Sequence, residues 1–528
     1  MSPYCPVNME RFLYTTFFWF LVVPLMAQPG WSRLDRQDLR AGELAILQDD
    51  FAMAYTILKP LYAKDSTHAP LNLAYGQAVL DWKKDNSLAV RLLKKAVDAG
   101  IPHAKFHYAR ALHGTMRFNE AVTQYLDYIQ SGDAAVDQMT VKRYLTMTYR
   151  AMDALANPVD VRVSNLGPAV NSAQPEYVPL ITPDNSQLYF TSRRNGSTAQ
   201  LKDPDGKYFE DIYQSTRVDG QWLDAVNLGQ PINSETHDAT VSISPDGKMM
   251  VIYRTNENLT GGDLYITEQK NGKWTSPKKL PPTINSAYQE ASATLSADKN
   301  ILIFSSNRPG GYGGKDLYRV RRLPNGEWSQ PKNLGPVINS AFDEDAPHLD
   351  VDGKTLYFAS NGHTTMGGYD IFRTVQLGNE SWLTPENLGY PINTVDDDLY
   401  LSLDAGGRTG YFSSARPGGF GDQDLYSVDF VYRKDYTVVV KSEVRSIQDE
   451  ALPAVITIID ESTRQIEGVY RSNSSTGKFI AVLHPVTQYK VIIECPGYES
   501  VIDELLFPFP EPGGEPEIDL PPFMLRKP

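Results

Sequence analysis

Arginine and asparagine side chains follow each of five short apolar strands in the middle of this 528-residue chain, and their types suit binding chemistry. The set comprises Arg193, Arg194, Arg254, Asn307, Arg308, Asn361 and Arg416. A guanidinium group carries a planar fork of donors that matches a carboxylate or a phosphate. If the five strands meet around one axis, these side chains form a basic patch. We expect such a patch to bind an anionic saccharide or peptide.

A structural role is the competing interpretation of the same arginines. Five aspartates recur downstream, each opening an Asp-Leu/Ile-Tyr/Phe motif: Asp211, Asp263, Asp316, Asp370 and Asp424. Each arginine can pair with an aspartate of this set and fix neighbouring strands. The sequence leaves both interpretations of the arginines open and gives the aspartates a structural role.

Catalytic constellations are missing from the sequence. A serine hydrolase of the α/β type needs a Gly-x-Ser-x-Gly elbow, and the chain has no such motif. His103 and His107 have i, i+4 spacing, but Ala-Lys-Phe lies between them, so the glutamate of the HExxH zinc motif is lacking. Asp203-x-Asp205-Gly206 has its glycine at position four, whereas an EF-hand needs it at position six. We expect a protein that is not an enzyme and holds no metal and no cofactor.

Composition narrows the class of partner. The chain has 64 acidic and 50 basic residues and a formal net charge of -14. Nucleic-acid binding needs clustered positive charge to displace counterions from phosphates, so we expect no nucleic acid among the partners. Of the two cysteines, Cys5 precedes a segment that we expect to be removed, so Cys495 has no disulfide partner within the mature chain.

An apolar segment near the N-terminus, FLYTTFFWFLVVPLMA at 12–27, has the length of a signal-peptide core. We interpret residues 1–27 as a secretory signal that is cleaved after Ala27, and an uncleaved anchor is the alternative. No other apolar run approaches the length of a membrane span. These features predict a secreted chain that is soluble once the segment is removed.

Helical periodicity marks residues 28–157. Two stretches resemble each other, LAYGQAVLDWKKDNSLAVRLLKKAV from Leu73 and FHYARALHGTMRFNEAVTQYLDYI from Phe106. Small residues recur at a period near 34, which lets paired helices approach closely. This pattern resembles the tetratricopeptide repeat and predicts helical hairpins.

A different unit recurs five times within residues 158–432. It contains an Asn-Leu-Gly-x-x-Ile-Asn-Ser-like segment, an Asp/Gly turn, an apolar strand such as LYFTS, and the recurrent Asp-Leu-Tyr. One four-stranded sheet cannot bury both of its faces, whereas several sheets packed around an axis can. The repeat predicts a β-propeller with five blades favoured and six as the alternative. The Pro-Asp-Gly-Lys turn followed by an LYF strand resembles the TolB-like, WD-type propeller repeat.

Residues 433–528 begin with the alternating strand YTVVVKSEV and continue with further strands of period two. The Gly-Lys-Phe entry and the Pro-Gly-Tyr turn resemble the carboxypeptidase regulatory-like, or transthyretin-like, domain. The resemblance implies a small β-sandwich, an accessory module without hydrolase chemistry. The whole chain is thus predicted to be multidomain, with an α part followed by two all-β parts.

The order of signal peptide, helical repeats, propeller and sandwich resembles the OmpA-family, PorE-like envelope proteins of Bacteroidetes. Those relatives continue into a C-terminal OmpA-like domain that grips peptidoglycan, and this sequence ends after the predicted sandwich. We therefore expect peptidoglycan association only indirectly, through a partner.

The resemblance implies a non-enzymatic scaffold or adaptor in the periplasm, associated with the outer membrane and with type IX secretion. Its partners would be outer-membrane or periplasmic proteins of an envelope complex. The other function that the residues allow is a periplasmic ligand-binding or sensor propeller, whose face holds an anionic saccharide or peptide.

Overall fold

The computed structural model describes residues 30–377, 380–430, 437–461, 464–484, 488–506 and 517–528. The predicted signal peptide, residues 1–27, lies outside them. The chain forms two compact units, the first ending at Ala111 and the second beginning at Leu112. Over the described ranges, no helix combines the length and the apolar character needed to cross a membrane.

Helices occupy the N-terminal part of the described chain. Their bounds are α1 Arg33–Leu47, α2 Phe51–Lys64, α3 Ala69–Ala78 continued by a π-helical turn Val79–Lys83, α4 Asn86–Asp98, α5 Ala104–Gly114, α6 Phe118–Ser131 and α7 Gln138–Ala156. The alanines that mark the predicted helical repeat are all fully buried: Ala54, Ala78, Ala89, Ala111 and Ala121. Close helix packing explains the small residues, since a Cβ on Gly42 would lie 2.4 Å from the Leu58 side chain.

Five antiparallel sheets of four or five strands follow the helices. The first sheet contains β2 Glu176–Ile181, β3 Gln187–Ser192, β4 Asp211–Val218, β5 Gln221–Trp222 and β6 Val226–Asn227. The second contains β7 Asp238–Ile243, β8 Met249–Thr255, β9 Gly262–Lys270, β10 Lys273–Trp274 and β11 Lys278–Lys279. The third contains β12 Ala293–Leu295, β13 Ile301–Ser306, β14 Asp316–Arg321 and β15 Lys332–Asn333.

The fourth sheet contains β16 Glu344–Leu349, β17 Thr355–Ser360, β18 Asp370–Val375 and β19 Glu386–Asn387. The fifth contains β20 Asp398–Leu403, β21 Thr409–Ser414 and β22 Asp424–Phe430. Its outermost strand comes from the other end of the sequence, because β1 Val161–Asn165 pairs antiparallel with β22. One N-terminal strand therefore completes the last sheet.

The first strands of the five sheets contact one another in cyclic order, and β20 of the fifth sheet contacts β2 of the first. Each pair of neighbouring sheets shares an apolar core. Tryptophans join neighbouring sheets, for example where the Trp222 ring meets Tyr411 edge-on at 5.9 Å. The five sheets thus form a closed, propeller-like ring, in which each sheet buries both faces against its neighbours.

Two further sheets follow the ring. One contains β23 Val438–Ser446, β26 Lys478–Leu483, β29 Glu517–Asp519 and β30 Phe523–Leu525, and the other contains β24 Val455–Asp460, β25 Gln465–Arg471, β27 Gln488–Glu494 and β28 Val501–Leu506. Residues from both sheets form one buried apolar cluster, including Val440, Ile456 and Phe479. Amphipathic strands of period two produce this arrangement, because alternate side chains face the shared core.

The last two sheets also contact the ring. Val439 and Val482 pack against Ala405 in the turn after β20, and Val351 of the turn after β16 joins the same cluster. The Thr437 hydroxyl donates to the Ala405 carbonyl. These turns lie at the end of the ring where the first strands finish, so the C-terminal sheets lie against that end.

Candidate functional site

Buried asparagines fix each link between sheets to the sheet that precedes it. In each link the asparagine side chain accepts a hydrogen bond from one backbone N–H and donates to the carbonyl of the same residue, at 2.8–3.1 Å. The bridged residue directly follows the recurrent aspartate. The pairs are Asn171 with Leu425, Asn233 with Ile212, Asn285 with Leu264, Asn339 with Leu317 and Asn393 with Ile371. This contact explains why the Ile-Asn-Ser segment recurs.

The residue after each asparagine binds an acid near the start of the next sheet. Its N–H and its hydroxyl both donate to the carboxylate, as Ser286 does to Glu290 at 2.9 and 2.7 Å. The five acids are Glu176, Asp238, Glu290, Glu344 and Asp398, each at most 2% exposed. A buried carboxylate needs hydrogen bonds or a cation to offset its lost hydration.

Four of the arginines predicted to form a binding face supply that cation. Arg308 shows the pattern: its guanidinium lies 3.1 Å from Glu290 and donates to the carbonyl of Ile284 at 2.9 Å. Its Nε donates to Ser306 at 2.9 Å, and the group lies over the Phe304 ring. Equivalent ion pairs join Arg194 to Glu176, Arg254 to Asp238 and Arg416 to Asp398. The predicted pairing of these arginines with the recurrent aspartates was wrong. Each of the four arginines pairs instead with the buried acid near the start of the first strand of its sheet.

The recurrent aspartates bind the loops and outer strands of their own sheets. Asp316 accepts from the N–H groups of Tyr312 and Gly313 at 2.8 and 2.9 Å, and from Asn333 at 2.7 Å. Asp424 repeats this with Phe420, Gly421 and Asn165, while Asp211 and Asp370 bind Asn227 and Asn387. Asp263 pairs with Lys279 at 2.6 Å.

The other three candidates also hold loops. Arg193 donates to Asp205 at 2.9 Å and to the Tyr208 carbonyl at 3.0 Å. The side-chain oxygen of Asn307 accepts from the Gln289 N–H at 2.8 Å, and that of Asn361 accepts from the Asp343 N–H at 3.0 Å. All seven candidates therefore have intramolecular partners.

The fourth sheet has a histidine in place of the arginine. His363 Nε2 lies 2.7 Å from the Ile338 carbonyl and 3.8 Å from Glu344, and its ring is 5.4 Å from Phe372. Helix α7 contacts the same loop, because the Arg143 guanidinium donates to the Asn361 carbonyl and lies 3.8 Å from the centre of the Phe342 ring. This sheet differs from the other four where the helix packs.

A channel runs between the first strands of the five sheets and contains a cavity of about 60 Å³. Val178, Ala346 and Tyr400 line it, and their φ angles of 51°, 50° and 60° lie in the left-handed region. Such conformations cost roughly 1–3 kcal/mol each and concentrate at functional sites. The three residues lie in bulges of β2, β16 and β20.

Polar residues surround the end of the channel where the first strands begin. We call this group the channel mouth and define it as Tyr177, Glu210, Lys315, Asp343, Asp345, Tyr369, Asp397 and Tyr400. These residues lie at or just before the starts of first or third strands, and antiparallel pairing places those starts at the same end of the ring. The repeated motifs do not reveal these residues, because none belongs to a motif that recurs in all five units.

One half of the channel mouth is built around Tyr369. Its hydroxyl donates to Asp343 at 3.0 Å and its N–H donates to Asp397 at 3.0 Å. Lys315 Nζ lies 2.8 Å from Asp345, and that carboxylate raises the pKa of Lys315 although burial alone would lower it. Burial, with three nearby carboxylates, holds the pKa of Tyr369 far above its usual value.

The other half joins the first and second sheets. The Tyr177 hydroxyl donates to Glu210, and His237 lies 3.5 Å from the same carboxylate. Burial alone would raise the pKa of Glu210, but hydrogen bonds from His237 and Tyr177 hold it below its usual value. Tyr400 lies between the halves, and burial, reinforced by Asp345 and Glu210, raises its pKa strongly.

Exposed aromatic side chains lie on loops at the same end of the ring. Tyr288, Tyr312, Phe342 and Phe420 are 46%, 53%, 39% and 51% exposed. We call these four residues the aromatic rim. Across the described ranges, no group of three or more acidic, histidine or cysteine side chains has a geometry that could hold a metal ion.

No family model matches this chain, and no curated protein matches it. Among solved structures, TolB from Acinetobacter baumannii is similar at 18% identity and a TM-score of 0.31, over 49% of this chain and 56% of that one. This chain thus spans little more than half of that protein. A putative TolB from Agrobacterium tumefaciens is similar at 15% identity and a TM-score of 0.28, over 51% and 96%. An α-L-arabinanase from Penicillium chrysogenum is similar at 11% identity and a TM-score of 0.32, over 51% and 96%.

Proposed function

We propose that this protein is a non-enzymatic scaffold or adaptor of the cell envelope. It resides in the periplasm, associates with the outer membrane, and binds protein components of an envelope complex such as type IX secretion. In this proposal the five sheets are the blades of a five-bladed propeller, the last two sheets are a transthyretin-like sandwich, and the helices are tetratricopeptide-like hairpins.

The aromatic rim is the observation that supports a protein-binding role. Aromatic residues are enriched at protein interfaces and supply much of their binding free energy. Four of them are exposed on one end of the ring, on loops that the recurrent aspartates and asparagines hold in place. A firmly held aromatic surface loses little conformational entropy when a partner binds.

The arginines give little support to an anion-binding face. Arg194, Arg254, Arg308 and Arg416 each offset a buried carboxylate, and their side chains are only 12–19% exposed. A ligand anion would have to compete with an acid already in contact. Ligand binding remains the second candidate function, and the channel with its strained bulges is the observation that favours it.

Affinity purification of the tagged chain from gently solubilised envelopes tests the proposal. We expect stoichiometric recovery of outer-membrane or periplasmic proteins, and loss of that recovery in the double variant Tyr312→Ala, Phe420→Ala. The control is Leu323→Ala, Leu383→Ala, which shortens two apolar side chains of similar exposure away from the rim. Recovery of the wild-type chain without companions, or turnover in a hydrolase screen, would contradict the proposal.

A further inference from the structure

The channel mouth lies at one end of the channel and contains three tyrosine rings, four carboxylates and one lysine. We propose that it receives a lysine or arginine side chain from an extended segment of the partner protein. This rests on the proposed scaffold function, since it names the chemistry by which the partner is recognised. It also reverses the charge of the ligand predicted from the sequence.

Charge complementarity carries the argument. Tyr369 donates to both Asp343 and Asp397, and Asp345 lies close enough to raise its pKa. In the part of the chain that the structure describes, Lys315 is the cation that contacts a member of this trio, through Asp345. Within the described residues, neither Asp343 nor Asp397 has a cationic side chain within 4 Å. An arriving ammonium or guanidinium group would supply the missing positive charge.

The channel provides the space. The cavity of about 60 Å³ has room for a few water molecules, which suits the end of one side chain. Among the residues of the channel mouth, Tyr400 lines this cavity and so connects the mouth to it. Tyrosine rings beside carboxylates also suit a cation, because a ring face attracts positive charge.

The aromatic rim adjoins the acidic part of the mouth. The loop that carries Tyr312 lies directly against the next link, since a Cβ on Gly313 would fall 1.9 Å from the Phe342 carbonyl. Phe342 immediately precedes Asp343. A peptide that packs on Tyr312 and Phe342 therefore brings its neighbouring side chain next to Asp343 and Tyr369.

Fluorescence anisotropy with the full chain tests this inference. The probes are fluorescein-labelled peptides of alternating lysine and glycine, or of alternating glutamate and glycine. We expect the wild type to bind the lysine peptide at least tenfold more tightly than the glutamate peptide at low salt. The double variant Asp343→Asn, Asp397→Asn should weaken lysine-peptide binding at least tenfold.

The control variant is Asp503→Asn, Glu504→Gln on the exposed strand β28, which removes the same charge far from the mouth. An equal loss in both variants would mean non-specific attraction to an acidic protein and would overturn the inference. Tyr369→Phe gives a second readout that is independent of folding defects. It removes only the hydroxyl that donates a hydrogen bond to Asp343. Binding of the lysine peptide should therefore be kept or strengthened. Loss of that binding would contradict the proposal.

The two proposals fail in different ways. If the scaffold function is wrong, the wild-type chain recovers no partner from envelopes. If only the recognition chemistry is wrong, the wild-type chain and the Asp343→Asn, Asp397→Asn variant recover the partner equally.

Discussion

The side-chain amide of Asn171 binds both main-chain groups of Leu425, 254 positions away, accepting from its N–H at 2.8 Å and donating to its carbonyl at 2.9 Å. Both residues are fully buried. Four further asparagines repeat this contact, each fixing the link after a sheet to the third strand of that sheet. The link at the closure of the ring is therefore held by the same contact as the links between its other sheets.

Asn171→Ala should destabilise the ring strongly. The change leaves the buried Leu425 N–H without a partner, whereas the Leu425 carbonyl still accepts from the Leu166 N–H at 3.1 Å. One unsatisfied buried group costs about 1–3 kcal/mol, so we expect a loss of that size in the free energy of unfolding. Urea unfolding measures it. Asn325→Ala, in an exposed turn, is the matched control and should change stability by less than about 0.5 kcal/mol. Equal effects would show that the Asn171 contact is not stabilising.

Arg308→Ala tests whether the arginines are structural. Removing the guanidinium leaves Glu290 buried without a cation, which typically costs about 3–5 kcal/mol. We expect a large drop in melting temperature. Arg321→Ala removes an arginine that is 48% exposed and should cost less than about 1 kcal/mol. An unchanged melting temperature in Arg308→Ala would instead favour the ligand-binding interpretation.

Acid should weaken the packing of His113 against the loop that precedes β18. His113 Nε2 lies 3.0 Å from the Met366 carbonyl and Nδ1 lies 2.9 Å from the Thr148 hydroxyl. A carbonyl only accepts, so Nε2 carries the proton in the neutral ring. Burial lowers the pKa of His113 to about 4. Because the folded pKa lies below the unfolded value near 6.5, stability from the neutral ring is complete above pH 6.5 and is lost as the pH falls toward 4.

The expected loss is about 3 kcal/mol over that window. The groups around the ring are the neutral Thr148, Phe118 and the Met366 carbonyl. Urea unfolding at pH 7 and pH 4.5 measures the effect. The loss should be smaller in His113→Asn, and an identical loss in both proteins would rule out His113 as its source.

Gly313→Ala should disrupt the loop of the third sheet. The added Cβ would fall 1.9 Å from the Phe342 carbonyl, which is main chain and cannot rotate away. We expect a loss of more than about 2 kcal/mol in thermal or urea unfolding. Gly261→Ala is the control, since its Cβ would meet nothing closer than 3.9 Å. A neutral Gly313→Ala would indicate that the loop can move off Phe342.

The β part of the fold could be predicted because the same sequence unit recurs five times at a nearly constant spacing. A motif such as Asp-Leu-Tyr fixes the start of a strand in every unit, and the structure has mostly antiparallel sheets where the repeats lie. The partner of the arginines was harder to predict. Glu290 lies 18 residues before Arg308. The equivalent position is glutamate in three units and aspartate in two, so it is a weaker sequence motif than the invariant aspartate at Asp316.

The channel mouth could not be predicted from repeats. The residues that every unit shares stabilise the ring itself. Tyr369, Asp343 and Tyr400 are features of single sheets, so only the closure of the ring brings them together. The contact of Arg143 with Phe342 is equally hidden, because it joins a helix to a loop far along the sequence.

The pairing of β1 with β22 has a consequence for biosynthesis. The N-terminal strand of the ring is made first, but its partner is complete only when Phe430 has left the ribosome. Until then the growing chain exposes unpaired strand edges, which are prone to aggregation. Closure of the ring is therefore a late event in the life of the nascent chain.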